Sequence, residues 1–159
     1  MIEVVTLIAA PIERVFDLAR SIDLHTDSAS KTNERAVAGV TTGLINLGEK
    51  VTWRGRHFGV WQTLTVQITA FERPTFFADQ MVRGAFHRLE HRHHFAPTKE
   101  GTRMTDELDF ESPLGALGRL TDRLFLSNYL RAFLIERNHI LKQVAESDGW
   151  QQYLASSPV

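Results

Sequence analysis

Val60-Trp61-Gln62-Thr63-Leu64-Thr65-Val66-Gln67-Ile68-Thr69-Ala70-Phe71 is the stretch on which the fold turns. Leu64, Val66 and Ile68 point one way, and Thr63, Thr65, Gln67 and Thr69 the other. That period of two predicts a half-buried strand over 60–71. The segment before it, 49–57, alternates as well: Val51, Trp53 and His57 share one face, while Lys50, Thr52, Arg54 and Arg56 share the other. Phe58-Gly59 fits a tight turn between the two. On the far side, Glu72-Arg73-Pro74-Thr75 reads as a turn, 76–82 as a strand, Arg83-Gly84 as a turn and 86–96 as a longer strand. Pro97-Thr98-Lys99-Glu100-Gly101 is a strong hairpin signal, followed by a last strand over 102–110. Connections this short join antiparallel neighbours and leave no room for crossover helices.

Outward from this core, residues 2–9 form a β-branched, apolar run that stops at Ala10-Pro11. Pro11 suits the first turn of a helix. Ile12, Val15, Phe16 and Ala19 then follow at helical spacing, a short second helix or turn covers 21–27, and 34–40 is a short candidate strand. From Pro113 the period changes. Leu114, Leu117, Leu120, Leu124, Tyr129, Leu130, Phe133, Leu134, Leu141 and Val144 recur at three- and four-residue steps, which predicts a long amphipathic helix with a break near Ser127-Asn128. It should end near Ser147-Asp148-Gly149, with Gly149 as its cap. Residues 150–159 read as a loose tail, which makes 1–149 a single domain. The expected class is α+β: a curved antiparallel sheet whose concave apolar face is covered by the C-terminal helix, with space left between them.

Composition removes several functional classes. With 159 residues there is enough chain for one domain with a real core. A net charge of −1 argues against nucleic acid as a partner held by bulk charge. No cysteine is present, so disulfides, thiol catalysis and thiolate metal sites are excluded. No apolar run approaches the roughly 20 residues of a transmembrane helix. The first residues carry Glu3 and no basic region, unlike a signal peptide, and the expected location is cytoplasmic.

Three stretches carry a resemblance. They are 48–59 (GEKVTWRGRHFG), 77–86 (FADQMVRGAF) running on to His91-Arg92-His93-His94-Phe95, and 104–110 (MTDELDF) with Pro113-Leu114-Gly115-Ala116-Leu117-Gly118. Together they resemble the bacterial ligand-binding branch of the SRPBCC (START-like) superfamily, over residues 2–146. That superfamily includes lipid-transfer START domains, polyketide cyclases and dehydrases, and the birch-pollen allergen fold. The resemblance implies a helix-grip fold with an internal cavity. It does not name a ligand.

Strand parity picks out the residues able to do chemistry. Leu89, His91, His93 and Phe95 share a face, as do Met104, Asp106, Leu108 and Phe110, and as do Phe77, Asp79 and Met81. Placed on neighbouring strands, these give an apolar cavity dotted with His57, Asp79, His91, His93 and Asp106. Ionisable groups on a buried face are expensive unless paired. The expected pairing sets Asp106 against one of His91 and His93, and Asp79 against the other. A carboxylate raises an imidazole's pKa and fixes its tautomer, so such pairs can line a binding cavity, stabilise one another, or act as acid and base. His91 and His93 with a carboxylate can also hold zinc or iron, but His-x-His is a short motif and nothing in the sequence fixes a third ligand. No metal and no cofactor are therefore expected. His87 and His94 fall on the opposite, solvated parity.

The expected function is binding or carriage of a small hydrophobic or amphipathic molecule. Its body would lie against Trp53, Leu64, Val66, Phe77, Met81 and, on the last helix, Leu117, Leu124 and Phe133; its polar end would meet His57, Asp79, His91, His93 or Asp106. The alternatives are a cyclase- or dehydratase-like enzyme with His91, His93, Asp106 and Asp79 as candidate acid–base groups, and an interaction module whose cavity is residual packing space. The sequence leaves the oligomeric state open.

Overall fold

The computed structural model describes residues 1–112 and 125–154. The described elements begin with β1 (Ile2–Ile8), α1 (Ile12–Ala19), α2 (Ile22–Ser28) and a 3-10 turn at Ser30–Thr32. The strands β2 (Arg35–Gly39), β3 (Lys50–His57), β4 (Val60–Glu72), β5 (Phe76–Arg83), β6 (Arg88–Thr98) and β7 (Gly101–Glu111) follow. After them come α3 (Ser127–Ala145), a 3-10 turn at Asp148–Trp150 and α4 (Gln151–Leu154). The seven strands form one antiparallel sheet in the order β1-β7-β6-β5-β4-β3-β2. This is the predicted α+β fold, a sheet covered by a C-terminal helix.

Turn chemistry sets the register. Phe58 and Gly59 both have positive φ (52° and 77°), the geometry of a type I′ hairpin, and they lock Trp53 opposite Leu64 and Val51 opposite Val66. At the β6–β7 hairpin Gly101 has φ 144°, and a Cβ there would lie 2.2 Å from the Ile8 carbonyl oxygen. Only glycine lets the hairpin approach the end of β1 so closely.

Helix α1 enters behind Pro11 and buries Val15, Phe16, Leu18 and Ala19. Phe16 is the hub, with Phe71, Phe77 and Phe95 packed edge-on around it at 5.2–5.5 Å between ring centres. The Ser21 hydroxyl accepts from the Leu24 amide at 3.2 Å and starts α2. Helix α3 turns Leu134, Asn138, Leu141 and Ala145 inward, at steps of four, three and four.

The apolar core divides in two. One part gathers around Phe16, Trp53, Val66, Ile68 and Phe77; the other holds Ile2, Val4, Leu89, Leu108 and Leu134. Two expectations change here. Gly149 does not cap α3: the helix stops at Ala145, Glu146 remains right-handed (φ −86°), and the amide of Ser147 closes onto the Val144 carbonyl. Residues 150–154 are not a loose tail: Trp150, Tyr153 and Leu154 pack on the first core, and the Tyr153 hydroxyl donates to Asp27 at 2.7 Å. The predicted first half of the long helix, including Leu117 and Leu124, lies outside the described residues.

Candidate functional site

Between the two apolar clusters, under α3, lies a cavity of about 330 Å³. Trp53 and Gly55 of β3, Leu64, Val66 and Ile68 of β4, Phe77 of β5 and Phe133 of α3 give it mostly apolar walls. Two groups of buried ionisable residues interrupt them.

The first group belongs to β5, β6 and β7. Strand register sets Asp79 opposite His91, and His93 opposite Asp106. Asp106 is 1% exposed, and its two oxygens are used differently. Oδ1 accepts from His91 Nε2 at 3.0 Å and lies 2.7 Å from His93 Nδ1. The His93 contact is close but poorly aligned for a hydrogen bond, and Nδ1 has no other partner among the described residues. Oδ2 accepts from the Asn138 amide of α3 at 2.6 Å, and the same amide also reaches Thr6 at 3.2 Å. On the cavity side His93 Nε2 stands 3.6 Å from Asp79 Oδ2, and His93 stacks on Phe77 with 4.1 Å between centres.

These contacts split the two imidazoles. Burial pushes the Asp106 carboxyl up, but its contacts with His91 and His93 outweigh that and hold it well below the usual carboxylate range. Burial and the neighbouring His93 charge push His91 down. Burial also acts downward on His93, yet Asp106 and Asp79 together overcome it and leave it raised. Burial pushes Asp79 up, less than the His93 contact and the His91, His93 and Arg137 charges together pull it down. The two imidazoles that share this carboxylate are thus shifted in opposite directions, His91 down and His93 up.

The second group hangs on Glu34, the residue before β2. Its Oε1 meets His25 Nε2 of α2 at 2.5 Å, and its Oε2 meets His57 Nε2 of β3 at 3.3 Å. His57 Nδ1 in turn pairs with the Tyr129 hydroxyl of α3 at 2.8 Å. Gly55 makes room: a Cβ there would come within 3.3 Å of Glu34 Oε2. Burial acts upward on Glu34, but the two imidazoles hold it far below the usual range. Burial, helped by the Arg137 charge, pushes His25 down against the pull of Glu34. Arg137 also lines the cavity; among the described residues it forms no ion pair, and its guanidinium donates to the Ala19 carbonyl at 3.3 Å.

Of the residues singled out from sequence, Trp53, His57, Leu64, Val66, Phe77, Asp79, His91, His93 and Phe133 lie on the cavity wall. Met81 and Asp106 do not. Met81 packs against the second core cluster, as Phe86 and Phe110 do, and it pairs with Val66 where the β4–β5 register shifts. Asp106 sits one layer behind the wall, screened by the imidazoles that it binds. Both imidazoles share Asp106, where a single partner was expected, and only His93 approaches Asp79 in the predicted manner. Glu34, His25, Tyr129 and Arg137 come from the short helices, a connection and α3. Strand alternation cannot reach them. Asn138 was legible in principle, as the polar residue between Leu134 and Leu141 on an apolar stripe.

Comparison with solved structures gives the same architecture. The Thermus thermophilus protein TTHA0849 superposes with TM-score 0.71 at 19% identity, covering 92% of this chain and 99% of that one. The Chromobacterium violaceum protein CV1439 gives 0.72 at 10% identity, with 92% and 98% covered. The major latex-like protein 151 of Panax ginseng gives 0.69 at 16%, with 92% and 97% covered. No curated protein matches the sequence. No helix among the described residues is long and apolar enough to cross a membrane. Residues 1–146 match the family described as "Polyketide cyclase / dehydrase and lipid transport", and the chain belongs to that family.

Proposed function

We propose that this protein binds and carries a small, partly hydrophobic molecule in the cavity beneath α3. The observation that carries this reading is a cavity of about 330 Å³, at the lower end of ligand-sized sites, with apolar walls and localised polar groups. The ligand's apolar body lies against Trp53, Leu64, Val66, Phe77 and Phe133. Its polar end meets Asp79, His91 and His93, or His57 on the other side. A packed core would have closed such a space, since interiors tolerate few voids larger than a water molecule. Native mass spectrometry of the purified protein, followed by denaturation and identification of what is released, tests the reading. A retained lipid, polyketide or aromatic molecule is expected. An empty protein that gains no thermal stability from a broad panel of amphipathic compounds would move the cavity to residual packing space.

A second reading has its own support. His91 and His93 reach the cavity wall while Asp106 stands behind both, hydrogen-bonded to His91 and in close contact with His93, and a carboxylate so placed orients a general base. Bound next to a carbonyl, such a pair abstracts an α-proton and assists aldol closure or dehydration. Turnover of a released polyketide-like ligand, lost in His93→Gln and His91→Gln, separates this reading from simple carriage.

A further inference from the structure

The β5–β6 face of the cavity supports an inference that neither carriage nor proton transfer requires. We propose that Asp79, His91 and His93 are a binding site for one divalent transition-metal ion of the Zn2+ or Fe2+ class, with Asp106 as the buried carboxylate that positions both imidazoles.

The first support is the donor set. One donor atom from each of the three residues lies within 4.8 Å of the others, on two adjacent strands whose register places Asp79 opposite His91. His93 Nε2 and Asp79 Oδ2 are 3.6 Å apart. That is long for a hydrogen bond. It is close to the roughly 3.3 Å that separates two ligands of a tetrahedral ion with bonds of about 2.0 Å. Two imidazoles and a carboxylate suit zinc or iron, where magnesium and calcium take oxygen donors alone.

The second support is independent of the donors and lies behind them. Metal-bound histidines characteristically give their other ring nitrogen to a carboxylate. Asp106 faces one nitrogen of both His91 (3.0 Å) and His93 (2.7 Å), and Asn138 fixes its remaining oxygen at 2.6 Å. His91 therefore has one nitrogen committed to the back of the site by a hydrogen bond, and His93 Nδ1 faces the same carboxylate oxygen without a well-aligned one. The third support is charge. Two carboxylates, Asp79 and Asp106, converge on this corner, and a divalent ion held by two neutral imidazoles balances them. Arg20 and Arg137 both line the cavity; Arg20 is paired with Asp17, and the two carboxylates outnumber the remaining Arg137. Three protein donors leave a four-coordinate ion one position for water or for the polar end of a ligand.

The competing account places a proton where the ion would sit, with His93 as an imidazolium between Asp106 and Asp79. Metal-stripped wild-type protein is titrated with Zn2+ by calorimetry, and with Co2+ followed by visible absorption, without any organic ligand. Expected are one ion per chain, micromolar or tighter binding, and a Co2+ spectrum of four- or five-coordinate type. Asp79→Asn and His93→Gln should each weaken Zn2+ binding by at least about tenfold, and Asp106→Asn by about 10–100-fold although it donates no ligand atom. His94→Gln, on the solvated face, should leave it unchanged. Absence of binding by folded wild-type protein overturns the proposal. So does binding that survives Asp79→Asn and His93→Gln, or a Co2+ spectrum of the hydrated ion. Because no organic molecule is present, failure here leaves the carrier reading untouched, and an empty organic cavity leaves the metal result standing.

Discussion

Asp106 is the residue on which the polar side of the cavity depends. Its carboxylate is almost fully buried and is held by two imidazoles and an amide. Removing one side of a buried ionic set exposes the others to the full desolvation penalty, so Asp106→Leu should lower unfolding stability by about 3–5 kcal/mol in urea denaturation. Asn138→Leu removes the hydrogen bonds to Asp106 and Thr6 and leaves an oxygen of Asp106 unsatisfied; the expected loss is smaller, about 1–3 kcal/mol. Equal losses in the two variants would contradict the central place given to Asp106. At this scale the sequence was informative wherever chemistry followed strand parity. His91, His93, Asp79 and Asp106 do share the inner side of the sheet, because a side-chain period of two is a local property. Which carboxylate serves which imidazole is not local. It depends on strand twist and on Asn138 arriving from α3. The Glu34–His25–His57–Tyr129 chain was invisible for the same reason: its members meet only after α2, the segment before β2, the sheet and α3 have packed.

Among the elements, α1 and the hairpins do most to shape the cavity. Helix α1 is attached through Phe16, fully buried among three aromatic rings. Phe16→Ala should cost about 3–5 kcal/mol, read as a loss of chemical or thermal stability. A loss under about 1 kcal/mol, far below the usual range for such a truncation, would mean that α1 contributes little to the core. The strands were legible from alternation and turn residues, and their observed limits fall close to the predicted ones. The helical tail was less so. Its period identified a long helix, and the described portion starts at Ser127, where a break was expected. The end was misread at Gly149, because glycine is a preferred left-handed cap but not a required one, and right-handed Glu146 closes the helix instead. The packing of residues 150–154 was missed because Trp150, Tyr153 and Leu154 form too short a run to show a period.

For the whole molecule, the buried ionisable groups give a pH signature. His25 and His91 are pushed down by burial, so the unfolded chain takes up protons on them first, and their effect is a loss of stability as pH falls below about 6.5. His93 is raised and acts oppositely: its contribution is present below about 6.5 and is lost as pH rises through its folded value. Asp106 and Glu34 are depressed, so their contribution is in place above about 4 and is lost as pH falls toward their folded values. His25 and His91 therefore draw the melting temperature down as pH falls below about 6.5, against the opposite contribution of His93, and Asp106 and Glu34 draw it down again below about 4. His91→Gln should flatten the first decline; an unchanged profile would argue against a neutral His91. The central claim is that the cavity under α3 holds a ligand, and a single titration addresses it. A fluorescent fatty-acid analogue is added to wild-type protein and to Val66→Trp, whose larger ring fills the space beside Trp53 and Phe77. Saturable one-to-one binding by the wild type, weakened at least tenfold in a folded Val66→Trp protein, is the predicted result. No saturable binding by the wild type, or equal binding by the two proteins, would contradict it.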